Sequence, residues 1–173
     1  MRRLYLLRHA KASWELAGDL DYGRGLTERG FADCELMRGP IKKLPAAPEL
    51  VLCSGARRAR ETLDGVAPAL PKDTRIEYDD RIYQASVERL IKVLREVPSE
   101  TGAVLMVGHN PSMHDVAVEL AADGPELDGM AGSFPKAALA VLEFEDPWTE
   151  LASDSAELTQ FIRPKTLRKA AEV

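Results

Sequence analysis

Four continuous apolar runs constrain this chain most: Leu4-Tyr5-Leu6-Leu7, Leu50-Val51-Leu52-Cys53, Ala103 through Val107, and Ala137 through Phe144. None alternates apolar with polar residues, so each reads as a strand covered on both faces, the pattern of a mostly parallel sheet. Parallel neighbours need crossovers of a dozen or more residues, usually helical, and the intervening segments have helical spacing. Phe31, Cys34, Met37 and Ile41 mark a helix from Thr27 to about Lys43. Arg57 to about Val66 is a second, and Ser86 to about Glu96, with Val87, Leu90, Ile91 and Leu94 on one face, is a third. Pro111 suits the first position of a fourth, whose buried stripe is Met113, Val116, Ala117 and Leu120. Leu158 through Arg163 is expected as one more strand, at a sheet edge because Pro164 follows. Residues 18–25 and 123–135 read as loops. The expected fold is α/β, a three-layer α/β/α sandwich on a mostly parallel central sheet.

At 173 residues the chain fits a single domain spanning residues 1–173. That length can bury a core without metal or disulfide support. Cys34 and Cys53 are too few for a disulfide framework and point to a reducing compartment. The run Leu4–Leu7 is far shorter than a signal core or a spanning helix, so a soluble, cytoplasmic protein is expected. No heptads or apolar surface stripe call for self-association, which makes a monomer the expectation. The formal net charge is −5, a poor match to nucleic acid or an anionic membrane. Charge is unevenly placed, however. Residues 1–60 carry 12 basic and 7 acidic side chains against 11 and 21 in residues 61–173, so an anionic ligand belongs with the first third.

In open α/β sheets, ligands bind beyond the carboxyl ends of the strands. Arg8-His9 follows the first run, Ser54 with Arg57, Arg58 and Arg60 follows the second, and Gly108-His109-Asn110 follows the third. Two of the three histidines thus stand at strand ends that a parallel sheet brings together. The arginines could form a solvated helix face, but one turned inward would suffice, because a guanidinium fork matches phosphate oxygens with paired donors. Cys53 invites comparison with the Cys-loop-Arg phosphatases, whose Arg position here is Ala59; completing an apolar run, it reads as packing. Metal chemistry fits poorly, since His109 and His114 are five residues apart and face different sides of a helix. Neither a P-loop nor a convincing dinucleotide turn is present. Ser54 as a nucleophile would need a base and an orienter that the sequence does not specify.

Leu6-Leu7-Arg8-His9-Ala10, Leu26-Thr27-Glu28-Arg29-Gly30, Ser54-Gly55-Ala56-Arg57-Arg58-Ala59-Arg60-Glu61-Thr62 and Val107-Gly108-His109-Asn110-Pro111 follow one another in an order that resembles the histidine phosphatase, or phosphoglycerate mutase-like, superfamily. Ala10 replaces the Gly of the family's Arg-His-Gly, and Gly55 the Pro of its Ser-Pro-x-x-Arg-Ala-x-x-Thr. Short length and the Arg-His-Ala-Lys start are most similar to the SixA-type phosphohistidine phosphatases. The resemblance implies that His9 is a nucleophile carrying the phosphoryl group. It also implies that Arg8, Arg58 and His109 clamp the phosphate oxygens and that neither metal nor cofactor is required. Two guanidinium groups beside His9 would favour the neutral, reactive imidazole.

Many relatives place a catalytic Glu after the second Arg block; the comparable stretch here has Gln84 at that position, and Asp80 is the alternative proton donor. A weak or missing acid slows alkoxide leaving groups more than a phosphoramidate, which favours phosphohistidine on a signalling or phosphotransfer protein as substrate. The alternatives are a phosphomonoesterase acting on a small phosphorylated molecule through Asp80, and a non-catalytic phosphoprotein-binding module. A mutase must shield its phosphoenzyme from water, and this chain is short for a lid.

Overall fold

The structure, a computed structural model, describes residues 1–14 and 20–172. Gly18 and Asp19, at the start of the expected 18–25 loop, lie outside the described residues. Strands β1 (Arg2–Arg8), β2 (Leu50–Cys53), β3 (Arg75–Tyr78), β4 (Ala103–Gly108), β5 (Ala121–Asp123), β6 (Leu139–Phe144) and β7 (Ala156–Ile162) form one sheet in the order β3-β2-β4-β1-β6-β7-β5. The pairings from β3 through β2 and β4 to β1 are parallel, β6 runs antiparallel to both neighbours, and β5 is parallel to β7.

Helices α1 (Glu28–Lys42), α2 (Arg57–Val66), α3 (Val87–Arg95), α4 (Ser112–Leu120), α5 (Leu127–Ala131) and α6 (Pro164–Ala171) complete the layers. Strands β1, β2, β4 and β6 are apolar on both faces because each serves two cores. Leu4 and Leu6 of β1 pack with Leu90 and Leu94 of α3 and Val116 and Leu120 of α4. The intervening Tyr5 and Leu7 pack with Cys34 and Met37 of α1 and Leu63 and Val66 of α2. This is the expected three-layer, phosphoglycerate mutase-like α/β arrangement. Burial raises the thiol pKa of Cys53, in keeping with its reading as packing.

Three local expectations change. The strand at 156–162 is not an edge, because β5 pairs beyond it through Ala121 and Asp123. Pro164 sits outside the strand in the first turn of α6, where its missing N–H costs no hydrogen bond. The edge on the other side is β3, whose mostly exposed residues gave no apolar run to read. Helix α4 starts one residue later than expected, with Pro111 as its N-cap, and α5 lies in the segment read as loop.

Candidate active site

Strand register assembles the site. Arg8 of β1 is level with Gly108 of β4, and Cys53 of β2 with Val107, so His9, His109 and Ser54 emerge side by side from three adjacent strand tips. The His9 N–H donates to the Gly108 carbonyl at 2.9 Å and the Ser54 N–H to that of Val107 at 3.0 Å. The two imidazole centroids are 5.2 Å apart, close to the spacing of neighbouring strands. His9, His109 and Arg58 are all buried.

His9 Nδ1 lies 2.7 Å from the carbonyl of Ala10. A carbonyl only accepts, so Nδ1 carries the proton and the neutral ring keeps its lone pair on Nε2. The carbonyl is held in turn: the Ala10 N–H donates to Thr62 Oγ1 at 2.9 Å, and that hydroxyl donates to the Arg58 carbonyl at 2.7 Å. The loop after β1 is thereby fastened to the second turn of α2. Burial, then the neighbouring His109, Arg58 and Arg8, push the His9 pKa down to about 3. Burial and Arg58 lower that of His109 to about 4. Both rings are neutral near pH 7.

Two arginines belong to the same cluster as this pair. Arg8 donates through one terminal nitrogen to the Phe134 carbonyl at 2.9 Å, and the Asn110 amide donates to the same oxygen. Arg58 turns inward from α2 and is held by Asp21, donating to its backbone oxygen at 2.8 Å and to its carboxylate at 3.1 Å. The Nε atoms of both arginines and Nδ1 of His109 are buried with no partner among the described residues. Buried donors left in this state are unusual, and three of them around two neutral imidazoles suit a bound oxyanion. Lys11, Arg24 and Lys136 add to the positive field, which together with burial lowers the Lys136 pKa.

Sequence reading named four of these residues, His9, Arg8, Arg58 and His109, and the structure brings them together. It missed Asp21 and Tyr83. The Tyr83 ring stands edge-on to His109 with centroids 5.5 Å apart, and its hydroxyl donates to Asp21 at 2.5 Å. That bond, with Arg58 and Arg24, holds the Asp21 carboxyl ionised with a pKa of about 2. Asp80, the candidate acid, accepts a hydrogen bond from Tyr22 at 2.7 Å. Gln84 adopts a positive φ of 52° and its amide reaches the Tyr83 hydroxyl. No group of three or more His, Cys, Asp or Glu side chains with metal-binding geometry occurs among the described residues. His114 is bonded to the Met130 carbonyl on α5 instead.

The arrangement can hold a tetrahedral oxyanion against an unprotonated imidazole nitrogen, and known proteins agree with that chemistry. The profile of the histidine phosphatase superfamily (branch 1) matches residues 4–84. An uncharacterised Mycobacterium leprae protein is 33% identical over 165 residues, covering 92% of this chain and all of the relative. The structure assigned as phosphohistidine phosphatase SixA from Agrobacterium tumefaciens is 32% identical with a TM-score of 0.78, covering 94% of this chain and 98% of that one. A second, so assigned from Nakamurella multipartitia, is 27% identical with a TM-score of 0.81 over 94% and 96% of the two chains. No described helix is long and apolar enough to cross a membrane. The chain belongs to the histidine phosphatase superfamily and is a phosphatase of the SixA-like kind.

Proposed function

We propose that this phosphatase removes the phosphoryl group from phosphohistidine on a protein, through a covalent intermediate on His9. The observation that carries the reading is the pairing of a neutral His9, its Nε2 lone pair free, with a cup whose nearby carboxyl group cannot give up a proton. Asp21 is ionised near neutral pH, its carboxyl pKa held at about 2 by Tyr83, Arg58 and Arg24, and Asp80 is engaged by Tyr22. In the first step Nε2 attacks phosphorus as the substrate's P–N bond breaks, and the leaving imidazole departs neutral once its ring is protonated from solvent. Arg8, Arg58 and His109 hold the equatorial oxygens, where positioning and charge supply most of the acceleration. Water then attacks the phosphoimidazole of His9, releasing inorganic phosphate and one proton and restoring the free ring.

An alkoxide needs a proton from the enzyme, whereas this leaving group does not. A positioned general acid is worth roughly 10²–10⁴-fold. Turnover of a phosphohistidine protein is therefore expected to exceed that of an alkyl phosphate by at least about a hundredfold, with p-nitrophenyl phosphate between them. His9→Ala is expected to abolish both turnover and acid-labile labelling by the phosphorylated substrate. Comparable rates on the alkyl ester, lost in Asp80→Asn, would instead establish Asp80 as a proton donor and the enzyme as a phosphomonoesterase.

A further inference from the structure

Beside the cup lies a second cavity of about 370 Å³, lined by Tyr22, Gly55, Arg60, Tyr78 and Asp80. We propose that it is a selecting subsite that receives an acidic side chain flanking the phosphorylated residue of the substrate protein; this rests on the reading of the enzyme as a protein phosphohistidine phosphatase.

Chain connectivity places the cavity against the cup. Tyr22 follows Asp21, Gly55 follows Ser54, Arg60 is two residues beyond Arg58, and Asp80 precedes Tyr83 by three. A substrate held by its phosphoryl group therefore has its neighbouring residues within reach of these walls. Glycine at position 55 lets the bonded pair of Tyr22 and Asp80 pack against the backbone in this wall of the cavity. A Cβ there would overlap both the Tyr22 hydroxyl and the Asp80 carboxylate, at the place where the family pattern has proline.

The lining chemistry selects the occupant. Asp80 accepts from the Tyr22 hydroxyl, so both groups are already engaged. Arg57 is paired with Glu61 and Arg58 with Asp21, but the Arg60 guanidinium makes no ion pair or hydrogen bond among the described residues. It lines the cavity together with the Tyr22 and Tyr78 rings. A carboxylate meets a guanidinium fork with two parallel hydrogen bonds, while the ring faces cover its aliphatic stem. A second phosphate would carry more charge toward Asp80 and fits less well.

The test uses the full-length enzyme and phosphohistidine peptides identical except for Glu, Ala or Lys beside the modified residue. Wild type is expected to prefer Glu over Lys in kcat/KM by about fivefold to tenfold, the size of one or two exposed charge contacts. Arg60→Ala should abolish the preference and Arg60→Glu should invert it. A general folding defect lowers all three peptides together and leaves the ratio intact, so an unchanged ratio in Arg60→Glu overturns the subsite while the phosphohistidine reading stands. Failure of wild type on every phosphohistidine peptide, with turnover of a phosphate ester retained, overturns the functional reading and the subsite with it.

Discussion

Ser54 Oγ is fully buried and has two polar neighbours, the Ala56 N–H at 3.3 Å and His109 Nε2 at 2.8 Å. The N–H can only donate, so the hydroxyl accepts from Ala56 and has its own proton to place. If Nε2 were protonated, that hydroxyl proton would be buried without an acceptor, at a cost of about 1–3 kcal/mol. Ser54 therefore holds neutral His109 in the tautomer with its hydrogen on Nδ1, the ring atom that lacks a partner and is free to donate to an oxyanion. In Ser54→Ala the ¹⁵N shifts of His109 are expected to move from a single tautomer to a mixture, with kcat falling by up to about 10²–10³-fold, the loss of one positioned donor. An unchanged ¹⁵N pattern would refute the assignment. Residues such as His9 and His109 were legible because an apolar run announces a strand end and the sheet aligns such ends. Ser54 was visible as a motif position, yet its work depends on a ring 55 residues away. Asp21 and Tyr83 carry no linear signal at all, since one sits among other acids and the other faces His109 only through the turn at Asp80–Ile82. Asp80 was read as the alternative proton donor; it lines the cavity beside the cup and accepts from Tyr22.

Elements were legible where burial is continuous. Strands β1, β2 and β4 lie inside the sheet and each carries a continuous buried apolar run, whereas β3 is exposed and β5 is three residues long. Helix α1 was readable from its stripe and its cap, and Thr27 does accept from the Gly30 N–H at 3.1 Å. Gly30 itself has a role the periodicity hides. Replacing an exposed helix glycine by alanine ordinarily stabilises by about 1 kcal/mol, but a Cβ on Gly30 would overlap the backbone carbonyl of Lys11. That carbonyl cannot move freely, because it accepts from the Thr27 N–H at 2.9 Å. Lys11 lies two residues beyond His9, so the displacement reaches the active-site loop. Gly30→Ala is expected to destabilise by about 1–2 kcal/mol, as overpacking does, and to reduce turnover. Denaturant unfolding with parallel kinetics decides the matter, and a gain in stability would mean that the loop after β1 yields without cost.

Across the whole molecule, the charge asymmetry of the sequence becomes a spatial one. The basic first third supplies Arg8, Lys11, Arg24 and Arg58 to one cup, and their field adds to burial in keeping His9 and His109 unprotonated. Folded values of about 3 and about 4, against an ordinary 6.5, mean that between those limits the unfolded chain binds more protons than the native one. Stability must then rise with pH across that interval. It is unaffected by these two groups above about pH 7, and it declines as pH falls below 6.5, by up to about 1.4 kcal/mol per pH unit for each ring. Asp21 works in a different window, since its lowered pKa adds stability that is lost only as pH falls from 3.8 toward about 2. The melting temperature is therefore expected to drop between pH 7 and pH 5, and the double variant His9→Asn, His109→Asn to flatten that slope. Saturating vanadate should flatten it in the wild type as well, because an oxyanion in the cup offsets the arginine charges and draws both imidazole pKa values upward. Equal slopes in the variant and the wild type would mean that the cup does not force its histidines to stay neutral, and the free lone pair on His9 would lose its physical basis.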